Sequence, residues 1–127
     1  MGRYTIHEDS IKAVSLPGRD HKMIIGPQEF GPSQNMSFGV AEFPAQRHAP
    51  GHVHQNEEEI IYIISGKGEM YFDGVPEELK PGICVYIPPG VVHSINNTSN
   101  SILKVAYAFS PPVEQGSYDK KSKQKFK

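Results

Sequence analysis

Glycine and proline interrupt this chain so often that a long helix has no room to form. The 127 residues include 12 glycines and 11 prolines, and no window longer than about ten residues keeps a helical apolar period without one of them. The runs between them are short and rich in β-branched and aromatic residues, which suit strands. Short strands separated by tight turns predict an all-β fold, either a sandwich or a barrel.

The predicted strands follow one another along most of the chain. Asp73-Gly74 is the strongest hairpin signal, because both residues tolerate the positive φ that a two-residue turn requires. Pro88-Pro89-Gly90 predicts a turn that delivers His93 to the mouth of the fold. Extended segments are expected at Tyr4 to Ile6, Ile11 to Leu16, Lys22 to Ile25, Met36 to Phe43, Glu59 to Ser65, Glu69 to Phe72, Ile83 to Ile87, His93 to Asn96 and Ile102 to Phe109.

The length of the chain fits one domain, which we assign to residues 1–113. Residues 114–127 are predicted to be a basic, flexible tail, since residues 117–127 carry five lysines and one aspartate. We interpret this short tail as a frayed, solvating end and predict no nucleic-acid partner. The chain has no apolar run of membrane-spanning length and no signal-peptide core near its first residue, so we expect no membrane partner and a cytoplasmic location.

Cys84 is the single cysteine. It cannot form a disulfide within the chain, so the fold does not depend on an oxidising compartment. Its surroundings, Ile83 to Ile87, predict a buried small hydrophobic residue.

Two histidines and a carboxylate lie close together in the middle of the sequence. His52 and His54 are separated by one residue, so their side chains share a face if the backbone is extended. Glu59 opens the next apolar strand. Imidazole and carboxylate groups brought together can bind a first-row metal ion.

These residues are part of two motifs that resemble those of the cupin family. The first motif consists of His52, His54, Glu59 and Gly66, and the second of Gly82, Pro88, Gly90, His93 and Asn97. Residues 46–66 and 82–97 would be the core motifs, with 67–81 between them, as in compact microbial members. One departure is Gln46, which stands where the family usually has glycine and suggests a loop altered by about one residue.

The resemblance implies a single-domain cupin: a small double-stranded antiparallel β-barrel of the jelly-roll type. It also implies one divalent first-row transition metal ion, held by His52, His54, Glu59 and His93. Such a set leaves one or two positions open for water, dioxygen or an oxygen ligand. Manganese, iron, zinc, nickel and copper all accept it, so the ligands do not identify the metal. Asn97 is expected to have a structural role in a turn.

Strand alternation suggests which residues line the pocket. Ile61 and Ile63 share the face of Glu59. Residues predicted to line the substrate pocket are Phe38, Val40, Ile61, Ile63, Val105, Tyr107 and Phe109, with Arg47 near the metal-bearing loop. The same alternation makes Glu42 a candidate general base, although an edge position or a salt bridge is the more common role. His48 is a candidate catalytic or substrate-contacting group, although a surface loop histidine is the more common case. His7 and His21 are interpreted as surface or packing residues.

Two kinds of function fit these features. The first is a metal-dependent enzyme that performs dioxygenation or decarboxylation on a small organic substrate. The second is a barrel that binds metal and a small molecule without turnover, as a sensor or storage module. The cupin resemblance also implies a homodimer, and the apolar outward residues Ile60, Tyr62 and Ile64 agree with a covered outer face.

Overall fold

The computed structural model describes residues 2–113. The predicted basic tail, 114–127, lies outside the described residues. The strands are β1 (Val14–Leu16), β2 (Arg19–Gly26), β3 (Gly31–Pro32), β4 (Ser37–Phe43), β5 (Glu58–Ser65), β6 (Gly68–Phe72), β7 (Val75–Leu79), β8 (Cys84–Ile87), β9 (His93–Asn96) and β10 (Leu103–Ser110). A 3-10 turn at Glu8–Ser10 is the one helical element of the described residues. The all-β prediction is confirmed.

The strands form two sheets of unequal size. The larger sheet has the order β1-β2-β4-β10-β5-β8, with β3 paired to β2, and the smaller has the order β7-β6-β9. Every pairing is antiparallel except the short one between β2 and β3. The buried core contains side chains from both sheets, including Ile63 and Leu103 from the larger and Met70 and Ile95 from the smaller. This is the predicted jelly-roll architecture.

Strand alternation produces the core. In β10 the residues Leu103, Val105, Tyr107 and Phe109 are buried while their neighbours are more exposed, and β5 alternates in the same way. β10 is paired with β4 on one side and β5 on the other. Because a central strand has both edges hydrogen-bonded, its inward side chains are held at defined positions. β10 therefore forms the back wall of the interior.

The turns follow the predicted chemistry at the β6–β7 hairpin. Asp73 and Gly74 both have positive φ, 49° and 84°, as a two-residue hairpin turn of the primed type requires.

The predicted strand at Tyr4 to Ile6 is absent, and Tyr4 is exposed. Within residues 2–113, no helix is long and apolar enough to cross a membrane.

Cys84 corrects one prediction, because it is exposed rather than buried. β8 is the outermost strand of the larger sheet, and Cys84 lies on the same face as exposed Tyr86. The inward residues of this strand are Val85, which is half-buried, and Ile87, which is buried. An apolar sequence context did not reveal which face of an edge strand is covered.

Candidate metal centre

Three histidine rings meet at the buried end of the interior. The candidate ligand atoms of His52, His54 and His93 all lie within 4.8 Å of one another. Two nitrogens bound to one first-row ion at about 2.1 Å each lie at most about 4.2 Å apart. A contraction of less than an ångström would therefore bring the three rings onto one ion.

Backbone hydrogen bonds hold the histidine segment against β9. The amide of His52 donates to the carbonyl oxygen of His93 at 3.0 Å, and the amide of His93 donates to that of His52 at 2.9 Å. The amide of Gly90 donates to the carbonyl oxygen of His54 at 2.8 Å. Residues from two distant parts of the sequence thus face each other as a pair in a ladder.

Glu59 completes the cluster from β5. Its carboxyl oxygen Oε1 lies 3.2 Å from Nε2 of His54 and 3.4 Å from Nε2 of His93. All three side chains are almost fully buried. The structure thus brings together all four residues that the sequence motifs singled out.

The hydrogen bonds of the His52 and His93 rings identify the ring nitrogen that carries the hydrogen. Nδ1 of His93 lies 2.9 Å from the carbonyl oxygen of Val91, and Nδ1 of His52 lies 3.3 Å from that of Pro50. A carbonyl oxygen only accepts, so Nδ1 carries the hydrogen and Nε2 of the neutral ring has a lone pair. In His93 that lone pair faces Oε1 of Glu59, and neither atom makes a hydrogen bond within residues 2–113. A cation between these facing acceptors would satisfy them, so the residues fit a metal ion.

The electrostatics favour the metal-binding protonation states. Burial, together with the neighbouring rings of His93 and His54, lowers the pKa of His52 to about 4. Burial alone would raise the pKa of Glu59, but the close contacts with His54 and His93 outweigh it and lower this pKa. A neutral imidazole and an ionised carboxylate are the forms that bind metal ions.

An open cavity of about 500 Å³, including the solvent space at its mouth, lies over the cluster. Its lining consists of Arg19, His21, Ala41, Phe43, Ala49, His52, Glu59, Ile61, His93, Ile95, Val105, Tyr107 and Phe109. Most of the wall between the polar groups is apolar.

Several predicted pocket residues are in this lining. Ile61, Val105, Tyr107 and Phe109 all contribute to it. The ring of Phe109 packs edge-on against His54, with centroids 4.8 Å apart. Ile63 is fully buried in the core and does not line the cavity.

The inward face of β4 is opposite to the prediction. Phe38 and Glu42 are exposed, and Val40 shares their face, whereas Ala41 and Phe43 line the cavity. Glu42 lies opposite Lys104 in the sheet and outside the cavity, so its predicted role as a general base has no geometric support. The reason is steric. The inward side chains of β10 extend over β4, so β4 needs small residues on the face that they cover.

The two loop residues proposed as substrate contacts lie outside the cavity. Arg47 and His48 are exposed and do not contribute to the lining. Their backbone pairs with the second motif: the carbonyl oxygen of Arg47 accepts from the amide of Asn97, and His48 bridges to Asn96.

Two polar cavity residues were missed by the sequence analysis. Arg19 and His21 are one same-face step apart at the start of β2, and both line the cavity. His21 stacks on Tyr107 with ring centroids 4.8 Å apart and an interplanar angle of 17°. The signal was the alternation of Arg19, His21 and Met23, which the adjacent Pro17-Gly18 turn obscured.

Gln46 explains the departure from the family motif. Its φ is 60°, a left-handed conformation that glycine adopts without strain. Its side-chain amide donates to the carbonyl oxygens of Thr98 and Ser99 at 3.1 and 3.0 Å and to Oδ1 of Asn100 at 3.2 Å. Gln46 itself takes a glycine-like backbone conformation, and the loop shift by about one residue stays a prediction.

The comparisons with known proteins agree with this architecture. A family model described as the cupin domain matches residues 39–109. An uncharacterized protein of Methanocaldococcus jannaschii is 43% identical over 61 residues, which are 48% of this chain and 49% of that protein. The dimethylsulfoniopropionate lyase DddW of Ruegeria pomeroyi is 31% identical over 93 residues, which are 70% of this chain and 57% of the lyase. The matched segments thus span about half the length of these relatives.

A solved structure shows the same fold. The crystal structure of a predicted oxalate decarboxylase from Thermotoga maritima has a TM-score of 0.75 and is 20% identical in sequence. The match covers 84% of this chain and 97% of that one. At this identity the likeness concerns the fold alone.

Proposed function

The chain belongs to the cupin family, and we propose that it is a metal-dependent enzyme acting on a small organic substrate. The observation that carries the proposal is the convergence of three imidazole rings and one carboxylate at the buried end of an open cavity. Facing acceptor atoms in a buried place are satisfied by a cation between them, and a metal ion bound by neutral rings and an ionised carboxylate supports this proposal.

His52, His54, Glu59 and His93 would hold the ion. A bound divalent ion would supply Lewis-acid polarisation of a substrate oxygen and, in the case of iron, copper or manganese, redox chemistry. Val91 and Pro50 accept hydrogen bonds from the ligand rings of His93 and His52 and thereby fix their orientation. Such outer contacts make a site more rigid and its ligands more basic.

The remaining cavity residues shape the substrate's surroundings. Ile61, Val105 and Phe109 form an apolar wall beside the ligands, which would exclude water from the reacting atoms and strengthen electrostatic interactions there. Tyr107 keeps its proton, because burial raises the pKa of its hydroxyl group and the carboxylate of Glu59 raises this pKa further. It can therefore donate a hydrogen bond to a substrate oxygen.

For the reaction class we favour lyase chemistry, such as decarboxylation, over dioxygenation. The support is the 31% identity with a dimethylsulfoniopropionate lyase over 70% of this chain. A lyase step needs a polarised substrate and a positioned proton donor or acceptor. His21 and Tyr107 are polar groups that line the same cavity and are candidates for that role.

The metal site is tested by His54→Ala. We expect this variant to lose most of its bound metal, measured by mass spectrometry of the purified protein, because one buried ligand is removed. His48→Ala is the matched control, since His48 is exposed and outside the cavity, and it should retain the wild-type metal content. Unchanged metal in His54→Ala, or a wild-type protein that takes up no added metal, would contradict the site.

A second function, binding without turnover, is favoured by one observation. Neither Glu42 nor His48, the predicted catalytic groups, lines the cavity. The discriminating measurement is a screen of the metal-loaded protein with small carboxylates and with and without dioxygen. Carbon dioxide release or oxygen uptake supports the enzyme, and tight binding with no product supports the binding module.

A further inference from the structure

The side chain of Tyr107 lines the cavity on the side of β10 that is away from Glu59. Tyr107 reaches over β4, whereas Glu59 is on β5, and β10 is paired between these two strands. Resting on the proposed function, we propose that the Tyr107 hydroxyl group selects the substrate by donating a hydrogen bond to a carbonyl oxygen. The substrate class is then a small oxo acid, with its carboxylate at the metal centre and its ketone or aldehyde oxygen at Tyr107.

Gly39 makes this position of the hydroxyl group possible. It lies opposite Tyr107 in β10 on one side and opposite Met23 in β2 on the other. A Cβ atom at residue 39 would collide with the Tyr107 hydroxyl group and with the carbonyl oxygen of Lys22. The glycine therefore lets the phenol extend across β4 toward β2.

Aromatic neighbours hold the Tyr107 ring in this position. His21 stacks on it with ring centroids 4.8 Å apart and an interplanar angle of 17°. The ring of Phe109 meets it at 65°, with a centroid distance of 5.5 Å. Because stacked and edge-to-face contacts favour defined ring orientations, the hydroxyl group is presented at a fixed point of the cavity.

The Tyr107 hydroxyl group makes only long polar contacts within residues 2–113. It lies 3.5 Å from Nδ1 of His21 and 3.9 Å from Sδ of Met23. A hydrogen bond from a hydroxyl group to an oxygen acceptor is typically about 2.8 Å long. A carbonyl oxygen of a ligand would therefore be a closer acceptor than either protein atom.

The surroundings of Tyr107 keep it a donor. Burial raises the pKa of its hydroxyl group, and the carboxylate of Glu59 raises this pKa further. The positive charge of Arg19 acts in the opposite direction but does not reverse the shift. A phenol that keeps its proton can donate one hydrogen bond to an oxygen that only accepts.

One neutral donor in an apolar wall matches a carbonyl oxygen better than a second carboxylate. Ala41, Ile61 and Val105 line the cavity together with Tyr107, and a carboxylate buried among such groups needs a cation or several donors. Arg19 also lines the cavity, but it is engaged within the protein, with the carbonyl oxygen of Pro17 among its partners. The charged end of the substrate is therefore assigned to the metal centre and the neutral oxygen to Tyr107.

The spacing of the two contacts favours a compact molecule. Phe109 lies opposite Glu59 in the sheet, and Tyr107 lies opposite Ile61. These two levels are one same-face step apart, which is about 7 Å along a strand. Acetoacetate, with a carboxylate and a ketone separated by one methylene group, is a probe of this size.

The test compares two ligands of zinc-loaded protein by titration calorimetry. They are acetoacetate and 3-methylbutanoate, in which a methyl group replaces the ketone oxygen. The wild type should bind acetoacetate about five- to tenfold more tightly, which is the effect of one neutral hydrogen bond. Tyr107→Phe should lose this preference and keep its affinity for 3-methylbutanoate within about twofold, because only the hydroxyl group is removed. A purely structural role of Tyr107 would weaken both ligands alike.

Tyr4→Phe is the matched control, since Tyr4 is exposed and outside the cavity, and it should keep the wild-type preference. Equal affinity of the wild type for the two ligands, binding of neither ligand, or a preference that Tyr107→Phe retains would overturn the inference. Zinc content is measured separately. A protein that takes up no zinc contradicts the proposed function instead, and the preference measured on the metal-free protein then decides the inference about Tyr107.

Discussion

Gln46 combines an unfavourable backbone conformation with a side chain that compensates for it. A left-handed φ costs a residue with a Cβ atom about 1 kcal/mol or more. The three hydrogen bonds of its amide group connect this loop to residues 98–100, directly after the second motif. The side chain therefore connects the loop before the first two histidines to the loop after the fourth ligand.

Substitutions at Gln46 separate these two effects. Gln46→Ala keeps the strain and loses the hydrogen bonds, so we expect a loss of about 1 kcal/mol in the free energy of unfolding. Gln46→Gly loses the same bonds but removes the strain, so its stability should be close to that of the wild type. Urea denaturation measures the free energy of unfolding of both variants. Ala45→Gly, at the exposed neighbour without positive φ, is the control and should not be stabilising. An alanine variant as stable as the glycine variant would contradict the account.

Tyr107 predicts a loss of stability at alkaline pH. The pKa of the Tyr107 hydroxyl in the folded state is raised above its ordinary value. In the unfolded chain this pKa is about 10. As the pH rises above about 10, the unfolded state loses this proton first and becomes favoured, by about 1.4 kcal/mol for each pH unit. Tyr107→Phe should therefore lose less free energy of unfolding than the wild type between about pH 9 and 11.

The control for the alkaline experiment is Tyr4→Phe, at a tyrosine that is 79% exposed and lies outside the cavity. It should follow the wild type over the same range. Identical pH profiles of Tyr107→Phe and the wild type would show that the Tyr107 hydroxyl is not protected from ionisation.

At the scale of elements, Asn97 holds three strand ends together. Its side-chain amide donates to the carbonyl oxygens of Phe43, Pro44 and Ser101 at 2.8, 3.1 and 2.7 Å. Its side-chain oxygen accepts from the amide and the hydroxyl of Ser99 at 2.9 and 2.7 Å. The end of β4 is thus fixed to the turn between β9 and β10, in agreement with the predicted structural role.

Asn97→Ala should be strongly destabilising. The variant leaves carbonyl oxygens in a buried place without their donor, and we expect a loss of about 3 kcal/mol in the free energy of unfolding by urea denaturation. Asn35→Ala, at an exposed position of a loop, is the control and should change stability by less than about 0.5 kcal/mol. A loss below 1 kcal/mol at Asn97 would show that the turn forms without it.

At the scale of the whole molecule, an apolar surface covers the outside of β5 and β8. Ile60, Tyr62 and Ile64 are 49%, 49% and 43% exposed, and Tyr86 on β8 is 58% exposed. β8 is the outermost strand of its sheet. An apolar sheet face of this kind next to an open edge is typical of a surface that binds another chain. We propose that a second copy of this chain covers it, as the sequence analysis expected.

Tyr62→Glu tests the homodimer. A charge at the centre of an apolar interface is costly to bury, so the variant should have the mass of a monomer by sedimentation equilibrium at concentrations where the wild type is a dimer. Val75→Glu, at an apolar residue that is equally exposed but on the smaller sheet, should leave the mass unchanged. A monomeric wild-type protein, or equal effects of both variants, would contradict this interface.

The sequence by itself determined most of the strands, the principal turns and the candidate ligands of the metal centre. Turn chemistry and motif spacing are local properties, so Asp73-Gly74 and the four candidate ligands could be recognised without knowing which strands are neighbours. Alternation along β10 was also sufficient to predict that Val105, Tyr107 and Phe109 face inward, because Lys104 identified the outer face.

Only the tertiary structure decided which face of β4 is inward and which polar residues share the cavity. Both faces of β4 carry small and large residues, so alternation alone did not choose between them, and the choice depended on Tyr107 crossing at Gly39. Arg19 and His21 are far from the motifs in sequence, and only the pairing of β2 with β4 brings them to the cavity. The physical reason is that a strand's period is local, whereas the side that is covered depends on residues distant in the chain.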